Sequence, residues 1–188
     1  MKLSTTFFLI FFLTLSYNQL HSQAYTLDKD KSGQISWTGY GEVGGYAQTG
    51  TLNVEAASLD WDVEQKLSGE ITIDMKSLYH EDKELMKHLK NKDFFDVKKY
   101  PTAIFRFAQN KDKKVAGELT IKGVTGTLAF SPEITIKDER VIVKGKVEVD
   151  RTYYGIKYNS SSYFQDLGSY AIKNIFDISF ELEYVLDE

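Results

Sequence analysis

The stretch Phe176-Asp177-Ile178-Ser179-Phe180-Glu181-Leu182-Glu183-Tyr184 sets apolar side chains against polar ones with a period of two. Successive side chains of a strand point to opposite faces, so the stretch predicts a strand with one dry face and one wetted face. The same period recurs upstream. Val141, Val143, Val147 and Val149 oppose Lys144, Lys146, Glu148 and Asp150. Ala103, Phe105 and Phe107 flank Arg106, and Val115, Gly117, Leu119 and Ile121 repeat the pattern. With runs near residues 34–37, 50–61 and 66–75, the reading predicts about eight antiparallel strands, enough for a sheet to close on itself as a barrel.

Working outward, two segments break the pattern of strands joined by short charged or Gly-rich turns. Residues 77–100 turn helical, with Leu78, Leu85, Met86 and Leu89 on one side, and predict a short cap over one barrel end. Residues 152–170 form a long stretch rich in Tyr, Ser, Gly and Asn without a period, which predicts a functional rim or lid. A membrane-spanning barrel would put the charged faces in lipid, where each basic residue at the midplane costs about 2–4 kcal/mol. The apolar set therefore points inward, around a packed core or a greasy lumen.

The chain has 188 residues, 42% of them hydrophobic and 27% charged, which fits one folded domain and excludes a disordered chain. A net charge of -4 offers no basic field for a phosphate backbone, so nucleic acid is not an expected partner. The absence of cysteine removes disulfides, thiolate metal sites and thiol catalysis together. Lys2, the apolar run at residues 7–15 and the small residues Ser22 and Ala24 form a secretory signal pattern. Residues 1–24 are accordingly expected to be a signal peptide and residues 25–188 the mature domain, periplasmic or secreted and not membrane-spanning.

Motifs of chemistry are few. Gly39-Tyr40-Gly41-Glu42-Val43-Gly44 matches G-x-G-x-x-G, but a strand follows where the dinucleotide motif needs a helix, so hairpin glycines are expected and no cofactor. His80, Glu84 and His88 fall four residues apart, yet Lys83 and Lys87 oppose a cation, and a solvated helix face is the expectation, with no metal. There is no G-x-S-x-G and no catalytic residue set, so the protein is not expected to be an enzyme. The rival is a lipid- or quinone-converting enzyme using Arg151 with His80 or His88; a packed barrel acting only through its surface is a third reading. Arg151 continues the inward valine face at the strand's end, where a cation needs a partner: a loop carboxylate such as Asp166, or a ligand's polar head.

Several segments in order resemble the YceI-like family of exported polyisoprenoid-binding proteins. They are Tyr25-Thr26-Leu27-Asp28, the block from Gly69 to Met75, His88-Leu89 leading to Asp93-Phe94-Phe95-Asp96, Tyr100-Pro101, Gly117-Glu118-Leu119-Thr120-Ile121-Lys122-Gly123-Val124-Thr125, and Asp150-Arg151-Thr152 with Tyr154-Gly155. The resemblance implies a lipocalin-like antiparallel barrel that holds an isoprenoid or similar amphiphile, often in a homodimer. Gln48 and Asn174 depart from the family pattern, which commonly has a histidine and an acidic residue there, and both bear on the head-group end. The expected function is non-catalytic binding, transport or storage of a hydrophobic small molecule. The expected lining is Trp37, Phe105, Phe107, Leu119, Ile178 and Phe180, with Phe94, Phe95, Tyr154 and Phe164 closing the ends and Arg151 at the edge.

Overall fold

The computed structural model describes residues 23–31, 33–62, 66–109, 114–137 and 139–187. Among these residues ten strands, one short α-helix and one 3-10 turn follow in order: β1 (Gln23–Leu27), β2 (Gln34–Tyr40), β3 (Ala47–Trp61), β4 (Leu67–Tyr79), α1 (Lys83–Lys90), β5 (Thr102–Gln109), β6 (Val115–Ile121), β7 (Val124–Phe130), β8 (Glu133–Lys137), β9 (Arg140–Asp150), the 3-10 turn Gly168–Tyr170 and β10 (Ile175–Leu186). β1 begins at Gln23, just ahead of the expected mature start. The remainder of the signal-like segment lies outside the described residues.

All ladders are antiparallel, in the order β7-β6-β5-β4-β3-β1-β10-β9-β8, with β2 also between β3 and β10. β1 and β2 are therefore two halves of one lane. The charged turn at Asp28-Lys29-Asp30-Lys31 separates them, which is one reason the count is ten and not eight. The short hairpin strand β8 is another. Closure also differs from the expected barrel: among the described residues no ladder joins β7 to β8 or β9. Side chains bridge that seam instead. Phe130, at the end of β7, lies 6.0 Å from Phe105 and 5.7 Å, edge-on, from Phe180 of β10.

The helical cap is shorter than residues 77–100. Ser77 to Tyr79 continue β4, because Ser77 Oγ accepts from Asn53 N–H at 2.7 Å and donates to the Asp74 carbonyl at 2.6 Å, stitching a bulge into the β3–β4 ladder. Asp82 starts α1 by accepting from the N–H groups of Glu84 and Leu85. Eight residues are too few to be helical alone. Leu89 is buried and Leu85 and Met86 pack against the core, so tertiary contact holds the helix over the sheet. The expected cap over one end is thus present in shortened form.

β10 alternates as its sequence predicts, Leu182 and Tyr184 being sealed inside at 1% exposure while Glu181 is open to solvent. Asp177 is the exception to the wet face. Only 6% exposed, it accepts from Tyr40 Oη and pairs with Lys146 Nζ at 2.8 Å. Burial pushes its pKa up, but the hydrogen bonds from Lys146 and Tyr40 prevail and hold it below the usual carboxylate value.

Candidate functional site

An interior so rich in aromatic rings stays partly hollow because three of the largest are paired across the ladder with glycine. Trp37 faces Gly50, Phe107 faces Gly69, and Phe180 faces Gly145. A Cβ at those glycines would come within 2.5 Å of Trp37 Cζ2, 2.9 Å of Phe107 Cζ and 2.6 Å of Phe180 Cζ. Each ring therefore lies over the neighbouring strand instead of reaching across the centre.

Two apolar voids result. The larger, about 170 Å³, lies beneath α1 and is walled by Trp37, Leu89, Phe94, Phe95, Phe176 and Arg151, with Tyr40, Tyr46, Gln48 and Lys173 at its polar side. The smaller, about 90 Å³, lies toward the other end and is walled by Phe105, Phe107, Phe130, Phe180, Ile35 and Tyr184 among others. Ile73, Leu119, Val149 and Ile178 line both and form the waist between them. Several inward side chains, Phe107, Phe176, Ile178 and Phe180 among them, are only half-buried although they point into the sheet's concave side. They face unfilled space.

Nine of the eleven residues expected at the site thus meet around one interior: Trp37, Phe94, Phe95 and Arg151 at the larger void, Phe105, Phe107 and Phe180 at the smaller, and Leu119 and Ile178 at the waist. Tyr154 and Phe164 line neither. Tyr154 is buried against Tyr153, with ring centroids 5.3 Å apart, and burial raises its pKa. Phe164 stands on the surface, 50% exposed. Sequence reasoning missed Ile73 and Val149 as waist residues, although Val149 sits on the inward valine face. The glycine opposite each ring was legible only once the register was known.

Arg151 is 4% exposed and makes no ion pair with Asp166 among the described residues. Its guanidinium instead donates to four main-chain carbonyls. Nε meets Lys173 O at 3.0 Å, Nη1 meets Ile156 O and Tyr158 O at 2.8 Å each, and Nη2 meets Ile172 O at 2.9 Å. Removal from water lowers its pKa, partly countered by Asp150 and Glu42. The long loop after β9 is thereby bent around a fixed cation, whose ζ carbon lies 5.9 Å from the Phe94 ring centre. Asn174 extends the clasp, accepting from Ser160 Oγ at 2.6 Å and donating to Ser162 Oγ at 2.9 Å. Gln48 donates to Tyr46 Oη at 2.6 Å at the cavity's polar side.

The histidines do not form the solvated helical face read from their spacing. His80 precedes α1 and is buried, its Nδ1 accepting from Asp82 N–H at 3.0 Å. The His88 ring lies 4.3 Å from that of Tyr158 and 5.4 Å from that of Phe94, and its Nε2 is buried without a hydrogen-bond partner, as is Trp37 Nε1. Among the described residues no group of three His, Asp or Glu could hold a metal, and no helix is long and apolar enough to cross a membrane. The glycines at 39–45 are those of the β2–β3 hairpin, with Gly44 and Gly45 at φ of 82° and 66°.

The YceI-like domain family matches residues 25–184. A UPF0312 protein of Pseudomonas fluorescens is 30% identical over 161 residues, covering 76% of this chain and 81% of the relative. Another, of Pseudomonas putida, is 32% identical over 128 residues, covering 62% of this chain; the match spans 64% of that relative's length. Among solved structures, BcnA of Burkholderia cenocepacia superposes with a TM-score of 0.66 at 22% identity, covering 84% of this chain and 98% of that one. A polyisoprenoid-binding domain from Saccharophagus degradans superposes with a TM-score of 0.67 at 14% identity, over 88% and 99%. These likenesses show the fold.

Proposed function

Since this chain belongs to the YceI-like family, we propose that its rolled sheet binds the apolar chain of an isoprenoid or a similar amphiphile, carrying or storing it without catalysing its conversion. The observation that supports this reading is the hollow interior, two dry voids meeting at a four-residue waist. Each methylene taken from water contributes about 0.8 kcal/mol, so about a dozen leave several kcal/mol after the cost of immobilisation. A void of ~150 Å³ is enough for a benzene ring. A ring-sized group thus fits the larger void as it stands, and a longer tail requires the waist side chains to turn aside.

The polar side of the larger void, with Tyr40, Gln48 and Lys173, suits the head group, and the smaller void suits the tail. The signal-like residues 1–24 support a site of action in the periplasm or outside the cell, where an apolar chain needs a carrier through water. Organic extraction and mass spectrometry of the purified protein test the proposal. A stoichiometric long apolar chain is expected; empty protein that also ignores added apolar fluorophore refutes it.

A further inference from the structure

The helix end of the molecule differs from the rest of its surface. The β2–β3 hairpin at residues 41–46 and the loop after β9 are tied together: Glu42 N–H donates to Ala171 O at 2.9 Å, and Ser161 Oγ donates to Glu42 Oε1 at 2.7 Å. On these two segments Val43, Tyr46, Tyr163, Phe164 and Tyr170 stand about half exposed or more, Tyr170 reaching 77%. Tyr46 also lines the larger void, so the apolar rim adjoins its polar side. Beside it, residues 83–100, whose Phe94 and Phe95 wall the same void, carry six lysines against Glu84, Asp93 and Asp96, in a chain whose net charge is -4. Two further lysines are tied to that cap: the Lys76 main-chain carbonyl accepts from Lys90 Nζ at 2.7 Å, and Lys122 Nζ donates to Lys92 O at 2.7 Å. Lys157 lies over the Tyr163 ring and Lys173 over that of Tyr40. Besides the three acids just named, Glu42, Asp74, Glu81, Asp82, Asp150 and Asp166 lie on these or adjoining segments, still fewer than the lysines.

Exposed aromatic rings with polar tips favour a membrane interface, apolar patches on a monomer mark contact surfaces, and lysines near a surface favour anionic lipid. We propose that this end docks on an anionic phospholipid bilayer, bringing the cavity mouth to the lipid from which the guest is taken or to which it is delivered. The proposal rests on the carrier reading for its purpose, but its physical content is separate. The excess of acid elsewhere orients the molecule with the lysine cap toward the bilayer, and the rim then enters the headgroup layer.

Vesicle flotation of the protein purified after export tests this, using phosphatidylcholine vesicles with and without phosphatidylglycerol. Binding is expected only with phosphatidylglycerol and should fall with salt. The variant Val43→Ser/Phe164→Ser/Tyr170→Ser and the variant Lys87→Gln/Lys92→Gln/Lys98→Gln should each weaken it by about tenfold or more, with thermal unfolding unchanged. Equal flotation of the wild type and both variants overturns the proposal. So does indifference to vesicles combined with a dimer that the rim variant dissociates, which would make the rim a contact between copies. Uptake of N-phenyl-1-naphthylamine, an apolar fluorophore, separates the two readings: uptake without vesicle binding overturns docking alone, and vesicle binding without uptake overturns the carrier reading while upholding docking.

Discussion

Replacing Arg151 by methionine keeps an unbranched apolar stem and removes the guanidinium with its charge and all its donors. Four carbonyls, of Ile156, Tyr158, Ile172 and Lys173, then lose the group they meet at 2.8–3.0 Å. A hydrogen bond to a charged group is worth about 1.5–3 kcal/mol, so the gross loss is large. Against it stands relief of the guanidinium's desolvation, which amounts to several kcal/mol for a group this buried. The net expectation is a destabilisation of about 3–5 kcal/mol, a large fraction of a typical domain's 5–15 kcal/mol. Equilibrium unfolding in urea reads it directly. With a slope of about 2 kcal/mol per molar, the midpoint should fall by roughly 2 M. Arg151→Lys keeps the charge but offers three donors from one point, which cannot reach carbonyls spread around a planar fork, so its midpoint should lie between the other two. The lysine variant also preserves the test if the methionine variant does not fold. A midpoint shift worth less than about 1 kcal/mol in both would refute the idea that the loop after β9 is built around this cation.

Three further outcomes follow from the interior and its ion pairs. Gly50→Ala should cost about 3 kcal/mol or more, because its Cβ would lie 2.1 Å from the Tyr79 carbonyl and 2.5 Å from Trp37, while Gly44→Ala, at φ 82° with open space around it, should cost only about 1 kcal/mol; calorimetry of the pair decides it. Leu119→Trp should obstruct the waist, so that a six-carbon fatty acid still displaces an apolar fluorophore and an eighteen-carbon one no longer does; equal displacement by both would show that the voids act independently. Asp177 has a folded pKa below the ordinary aspartate value of 3.8, so its stabilising contribution is present above that pH and is lost as the pH falls through the lower folded value. Asp177→Asn should therefore lower the melting temperature at neutral pH and flatten its decline below pH 3.8, with Asp28, also lowered, retaining part of that decline; an unchanged acid limb would contradict the assignment.

The legible part of the site lies where the period of two is unbroken. Leu119, Ile178 and Phe180 could be assigned to the interior because a strand admits only two faces and the other face carries charge. Trp37, Phe105 and Phe107 followed by the same reasoning. Tyr154 and Phe164 could not be placed, since they belong to a loop whose path is set by Arg151 and Asn174 and not by any period. His80 illustrates a different failure: its spacing to Glu84 and His88 is helical, but the Ser77–Asp74–Asn53 stitch keeps the chain extended past Ser77, and α1 begins only at Lys83.

Alternation of side chains is a property of the backbone, so the sequence by itself determined an all-β chain, an inward apolar face, an outward charged face and a capped end. Cross-strand register is a property of the assembled sheet. Only the tertiary structure decided that glycine stands opposite Trp37, Phe107 and Phe180, that the rings consequently lean along the wall, and that two voids meet at a waist. The same holds for Arg151: a cation at the end of an apolar face needs partners, but main-chain carbonyls carry no signature in the sequence, so their choice over a carboxylate appears only when the loop is folded around it.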